Sequence, residues 1–99
     1  MDNVYSIDEL KDLLTPIFIK YGLIRVSIFG SYARGTASDT SDINLLIYIN
    51  ENFDLESYIN FKNEVIKVVG KDIDILEYRS INKRVETDIL KEAILLYEQ

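Results

Sequence analysis

The sequence contains no cysteine and no histidine. The first absence excludes both a disulfide framework and a thiolate zinc site. The second removes the commonest general base near neutral pH, so acid–base chemistry falls to carboxylates, lysine or tyrosine. A single proline and four glycines among 99 residues argue against disorder, and no linker, repeat or low-complexity segment is visible. No apolar run approaches the roughly 20 residues a membrane-spanning helix needs, and Met1-Asp2-Asn3 starts nothing like a signal peptide. The expectation is no membrane association and a cytoplasmic location. Positive charge is scarce too: 11 Lys and Arg stand against 17 Asp and Glu, a net charge of −6. That disfavours direct nucleic-acid binding, which needs a basic surface to displace counterions. A single nucleotide stays allowed, because Mg²⁺ held by acidic ligands screens phosphates locally. An acidic surface can also steer a basic protein partner, or simply keep a chain soluble.

What the sequence does have is 47% hydrophobic residues, enough for one core in a single small domain spanning 1–99. Ser6-Ile7-Asp8-Glu9 has the form of a capping box and predicts a helix from about Ile7, with Leu10, Leu13, Leu14, Ile17 and Phe18 at helical spacing. Pro16 predicts a kink, with Thr15 capping a second segment, before Tyr21-Gly22 closes the helix. Residues 24–29 read as a strand with Ile24, Val26 and Ile28 on one face. Residues 43–49 read as a second strand, apolar apart from Asn44 and hence central. Asp54 caps a helix whose expected apolar face is Leu55, Tyr58, Ile59, the Lys62 stem, Val65, Ile66 and Val69, ended by Gly70. Residues 73–78 form a third strand, and a last helix from about Asn82 carries Val85, Ile89, Ala93, Leu96 and Tyr97. The predicted class is α/β (α+β): a three-stranded mixed sheet with helices packed on it.

Two segments carry chemistry. Gly30-Ser31 follows a strand and opens a short helical turn, where glycine lets backbone approach a phosphate and Ser31 adds a hydroxyl donor. Arg34 suits either a phosphate or a surface ion pair with Asp39 or Asp42, while Gly35 is demanded by loop geometry. Asp42 and Asn44 stand two apart on a strand, so both side chains share a face with Cα atoms roughly 7 Å apart. Such a pair can present oxygen ligands to Mg²⁺. Asn44 lies inside an apolar strand, where a polar side chain needs a partner. Asp72 and Asp74 repeat the spacing on the third strand, and could also be its solvent face.

The run Phe29-Gly30-Ser31-Tyr32-Ala33-Arg34-Gly35, followed by Ser41-Asp42-Ile43-Asn44-Leu45-Leu46-Ile47, resembles the minimal nucleotidyltransferase (MNT) domains of the DNA polymerase β superfamily. Their signature is Gly-Ser, ten residues, then Asp-x-Asp; here Asn44 replaces the second acid. The resemblance implies a polymerase β palm-like core and ATP as substrate. It implies that Gly30, Ser31 and Arg34 bind the nucleotide phosphates. Asp42, Asn44 and Asp74 would be the catalytic residues and the ligands of two Mg²⁺ ions, with Asp74 also taking the proton of the attacking hydroxyl and Asp72 a neighbour at the rim. Relatives of this size resemble antitoxins that silence HEPN-domain RNase toxins by transferring AMP to a toxin tyrosine. Residues 89–98 resemble the closing helix of the family.

Asn44 keeps a carbonyl oxygen for Mg²⁺ but removes one negative charge, so transfer should be slow or absent. A deliberate inactivating change, a natural domain that inhibits by binding alone, and an Asn that suffices for slow catalysis all remain open. The rival to an enzyme is a binding antitoxin that masks its toxin, with some of the seven Tyr and four Phe at the interface. An aminoglycoside-modifying or RNA-tailing enzyme is disfavoured by the acidic charge and the lack of a second substrate domain. Homo- or hetero-oligomerisation could rebuild a cleft.

Overall fold

The computed structural model describes residues 4–99, so the reading of Met1-Asp2-Asn3 lies outside the described residues. Helix α1 (Ile7–Lys20) starts where the capping box places it. The Ser6 side chain accepts from the Glu9 amide at 3.0 Å, and the Glu9 carboxylate accepts from the Ser6 amide at 2.8 Å. The helix runs unbroken through Pro16, and Thr15 caps no second segment. Instead the Thr15 hydroxyl donates to the Lys11 carbonyl at 2.6 Å, within the helix. The buried stripe Leu10, Leu14, Ile17 and Phe18 spans the proline, and its packing overrides the local penalty. Gly22, at φ +63°, follows the helix end.

Strand β1 (Arg25–Phe29), one-turn helix α2 (Ser31–Arg34) and strand β2 (Ile43–Tyr48) follow. Ile24 falls outside the first strand and is 42% exposed. Helix α3 (Leu55–Val69) then crosses over to β3 (Ile73–Glu77), and Tyr78 belongs to a 3₁₀ turn (Tyr78–Ser80) rather than to that strand. Helix α4 (Lys83–Glu92) and a last strand β4 (Ile94–Glu98) complete the chain. Among the described residues no helix is long and apolar enough to cross a membrane.

The sheet has four strands in the order β3-β2-β1-β4, not the expected three. Residues 94–98, expected to close the last helix, instead pair antiparallel with β1 around a bulge at Val26/Ser27. The apolar run Ile94-Leu95-Leu96-Tyr97 can serve helix or strand, and the otherwise unpaired edge of β1 decides it. The sheet is mixed: β2 runs antiparallel to β1 and parallel to β3, and β2 is central as expected.

Val26 pairs with Ile47 and Ile28 with Leu45, and Ile43 pairs with Ile73, so these side chains share the face covered by α1 and α3. The α3 contribution to that core is Phe61, Val65 and Val69. Val65, Ile66 and Val69 of the expected face do meet the core, but Leu55 and Ile59 turn outward, 74% and 49% exposed, and Phe61 takes their place. Phe61 decides the orientation, because its ring packs 6.1 Å from Phe18 and edge-on at 5.6 Å to Tyr21. The other face of the sheet carries Phe29, Asn44 and Asp74, and the site lies there.

Candidate active site

At the end of β1 the chain turns through Gly30, whose φ of +80° and ψ of −150° lie in a region essentially reserved for glycine. A Cβ at this position would also fall on the Asn44 amide nitrogen. Gly30 therefore meets two demands, one from the turn and one from the side chain of β2 beside it. The Arg34 amide donates to the Gly30 carbonyl at 3.0 Å, and the Thr36 amide to the Ser31 carbonyl at 2.9 Å. Gly35 closes α2 in the left-handed conformation, and a Cβ there would meet nothing, so loop geometry alone sets it.

The following loop is tied by a small turn: the Ser38 amide donates to Ser41 Oγ at 2.9 Å and the Ser41 amide to the Ser38 carbonyl at 3.1 Å. This turn delivers Asp42 to the start of β2. There the Ile43 amide bonds to the Asp72 carbonyl at 3.1 Å and starts the parallel register. In that register Asn44 is the partner of Asp74, so neighbouring strands point the two side chains to one face. Asp42 and Asp74 are exposed and Asn44 is half-buried.

The structure brings together the six residues to which the resemblance gives phosphate, catalytic and metal-ligand roles. Gly30, Ser31, Arg34, Asp42, Asn44 and Asp74 line one cleft of about 440 Å³ with Phe29, Ser41, Ile89 and Glu92. Arg34 does not pair with Asp39 or Asp42; its Nη1 donates to Glu92 Oε2 at 2.7 Å, because the end of α4 lies against α2. Glu92 and Ile89 are wall residues that sequence reasoning missed. No signal in the sequence marks Glu92, because the sequence predicts a helix running on to Tyr97 and only the structure ends it at Glu92. Asp72, expected at the rim, does not line this cleft; it lines a neighbouring hollow of about 300 Å³ with Asp39, Thr40, Asp42 and Lys71. There the Lys71 ammonium donates to the Asp39 carbonyl at 2.7 Å.

The chemistry of the cleft is that of three carboxylates and one guanidinium, a setting for a cation and a phosphate together. Among the described residues no three His, Cys, Asp or Glu side chains gather as a metal-binding group. Asp42 and Asp74 line the cleft with the Asn44 amide, which pairs in register with Asp74.

The sequence matches the family described as Polymerase beta, Nucleotidyltransferase over residues 13–99. A Methanocaldococcus jannaschii protein, provisionally named protein adenylyltransferase MJ0435, is 42% identical over 89 residues, which are 90% of this chain and 96% of that protein. A solved structure provisionally described as a minimal nucleotidyltransferase matches with a TM-score of 0.78 at 29% identity, covering 91% of this chain and 95% of that one. A chain of the complex between a tri-AMPylated Shewanella oneidensis HEPN toxin and its MNT antitoxin matches with a TM-score of 0.71, covering 94% of this chain and 73% of that one. At 14% identity that last likeness concerns the fold alone. Since the family match runs through the turn at Gly30 and through both strands that carry the acidic side chains, this chain belongs to the polymerase β nucleotidyltransferase family.

Proposed function

We propose that this chain carries the site of an antitoxin-type protein adenylyltransferase, one that moves AMP from ATP to a tyrosine hydroxyl of a partner HEPN toxin. Transfer is slowed or stopped here by Asn44. The observation that carries this reading is the single cleft in which Gly30, Ser31, Arg34, Asp42, Asn44 and Asp74 meet. The adenylyltransferase name of the archaeal relative and the AMPylated HEPN toxin of the Shewanella complex support the reaction class and the partner.

The roles follow from the chemistry of each group. The Gly30-Ser31 turn lets backbone and a hydroxyl approach the β- and γ-phosphates of ATP, and Arg34 offers them a fork of charged donors. Asp42, Asp74 and the Asn44 amide oxygen are the groups that would hold Mg²⁺. Two carboxylates with substrate phosphates suit one such ion; the two-ion arrangement lacks the charge that Asn44 does not supply. When bound, the ion offsets phosphate charge and steadies the attacking and leaving oxygens of an in-line displacement. An Asp74 carboxylate oxygen takes the proton of the attacking hydroxyl. The tyrosine oxygen bonds to the α-phosphorus as the bond to pyrophosphate breaks.

The test is transfer of label from ATP carrying a labelled α-phosphate, with Mg²⁺ and the native toxin, by this chain and by Asn44→Asp side by side. Asn44→Asp should raise labelling of the toxin by about 100-fold, the scale on which one preorganised electrostatic group acts in a site. A second reading, a binding antitoxin on this scaffold, is favoured by Asn44, an uncharged amide, standing in the cleft between Asp42 and Asp74. No label from either version, with the toxin still inhibited, would establish that reading instead.

A further inference from the structure

Helix α4 has no buried residue, unlike α1, α2 and α3, yet its last turn forms a wall of the cleft through Ile89 and Glu92. The Glu92 carboxylate holds the Arg34 guanidinium at 2.7 Å, with side chains 27% and 55% exposed. A carboxylate in the last turn of a helix faces the negative end of the dipole, so local helix energetics do not favour Glu92 there. Arg34 supplies the compensating charge. Among the described residues it is also the one basic side chain lining the cleft. An anion entering the cleft and the end of α4 therefore draw on the same guanidinium. An exposed ion pair of this kind is weak, whereas a triphosphate offers more charge and paired oxygens to the guanidinium fork.

We infer that Glu92 is a positioning residue that competes with the substrate's phosphates for Arg34: the guanidinium is held either by α4 or by the triphosphate. The inference rests on the nucleotide site proposed above. Nucleotide affinity is then limited by the Arg34–Glu92 pair, and phosphate binding loosens the end of α4. No bond is made or broken in the exchange; one hydrogen-bonded ion pair replaces another.

A double-mutant cycle on the full chain tests this by calorimetric binding of a non-hydrolysable ATP analogue with Mg²⁺. The four proteins are the unaltered chain, Glu92→Gln, Arg34→Ala and the double variant. Glu92→Gln should tighten binding by about threefold to fivefold, the worth of a good exposed ion pair. Arg34→Ala should weaken it, and in that background Glu92→Gln should change nothing. Equal tightening with and without Arg34 would overturn the competition, since the carboxylate would then only repel the phosphates. No tightening in either background would overturn it as well. Binding by none of the four would overturn the nucleotide site itself, a distinct result. Hydrogen exchange on the unaltered chain adds a readout free of substitution. Amides in the last turn of α4 should exchange faster with the analogue bound, and slower or unchanged exchange would count against the inference.

Discussion

Helices α3 and α4 flank the same sheet, both carry apolar residues at helical spacing, and both are capped by a side-chain oxygen. The Asp54 carboxylate accepts from the Ser57 amide at 2.8 Å and the Asn82 carbonyl from the Arg84 amide at 2.9 Å. Their burial differs completely. Helix α3 sinks Phe61, Val65 and Val69 into the core, while α4 buries nothing and leaves Val85 45% and Leu90 40% exposed. Caps thus explain where each helix begins, and burial explains how firmly it is held. The site inherits the contrast. Its floor is the register of Asn44 against Asp74, which the α3 crossover connects, and its wall is the end of α4. A fixed floor suits the placing of ligands for catalysis, and a loosely held wall suits the entry of a substrate.

Core truncation should give the largest effect and separate the two helices. Phe61 is fully buried and its ring touches those of Phe18, Tyr21 and Phe53. Phe61→Ala should lower stability by about 3–5 kcal/mol, read as a shift in the urea midpoint at unchanged slope. Val85→Ala on α4 should stay within about 0.5 kcal/mol. A loss near that of Phe61→Ala at position 85 would mean that α4 is packed as firmly as α3, and the comparison would collapse.

Within the floor, the two glycines of the turn sharpen the same point on a smaller scale. Gly30→Ala meets both a backbone region closed to alanine and the Asn44 side chain, so it should cost on the order of 3 kcal/mol. Gly35→Ala meets only the left-handed conformation and should cost about 1 kcal/mol. Asn44→Ala placed in the Gly30→Ala background should recover part of the loss, because it clears the contact and leaves the backbone strain. Additive losses would show that the turn and β2 do not interlock.

The residues that are legible in the sequence are those whose roles are local. The capping box at Ser6, the turn at Gly30 and the same-face pair Asp42 and Asn44 depend on neighbours a few positions away. The pairing of Asn44 with Asp74 depends on how a whole helix crosses the sheet, and alternation alone says only that each side chain faces away from the core. Leu55 and Ile59 have the same helical spacing as Phe61 and Val65, and which stripe turns inward is a tertiary choice that Phe18 and Tyr21 make. Strand β4 is hidden for a similar reason, since an apolar run without period takes its form from the free edge of β1. Glu92 is hidden by distance, 58 residues from the arginine it holds.

The smallest expected effect returns to the two caps, because one of them titrates and the other does not. Hydrogen bonds from the Ser57 backbone amide, and then from its side chain, hold the Asp54 carboxyl below the usual aspartate range. A carboxyl so depressed on folding adds stability at pH values above its ordinary pKa, and that stability is lost as pH falls through the lowered folded value. Asn82 carries no such dependence. Glu64 adds to the slope in the same direction, since its bond to Lys20 foremost, then its interaction with Tyr21, lowers its carboxyl as well. Asp54→Asn keeps an acceptor at the start of α3 while removing the titration. Its thermal midpoint, followed from near neutrality to below about pH 4, should fall less steeply than that of the unaltered chain. The part due to Glu64 should remain. Parallel curves for the two proteins would mean that the cap is already broken in solution above that range. Helix α3 would then owe its start to Phe61 and the core alone.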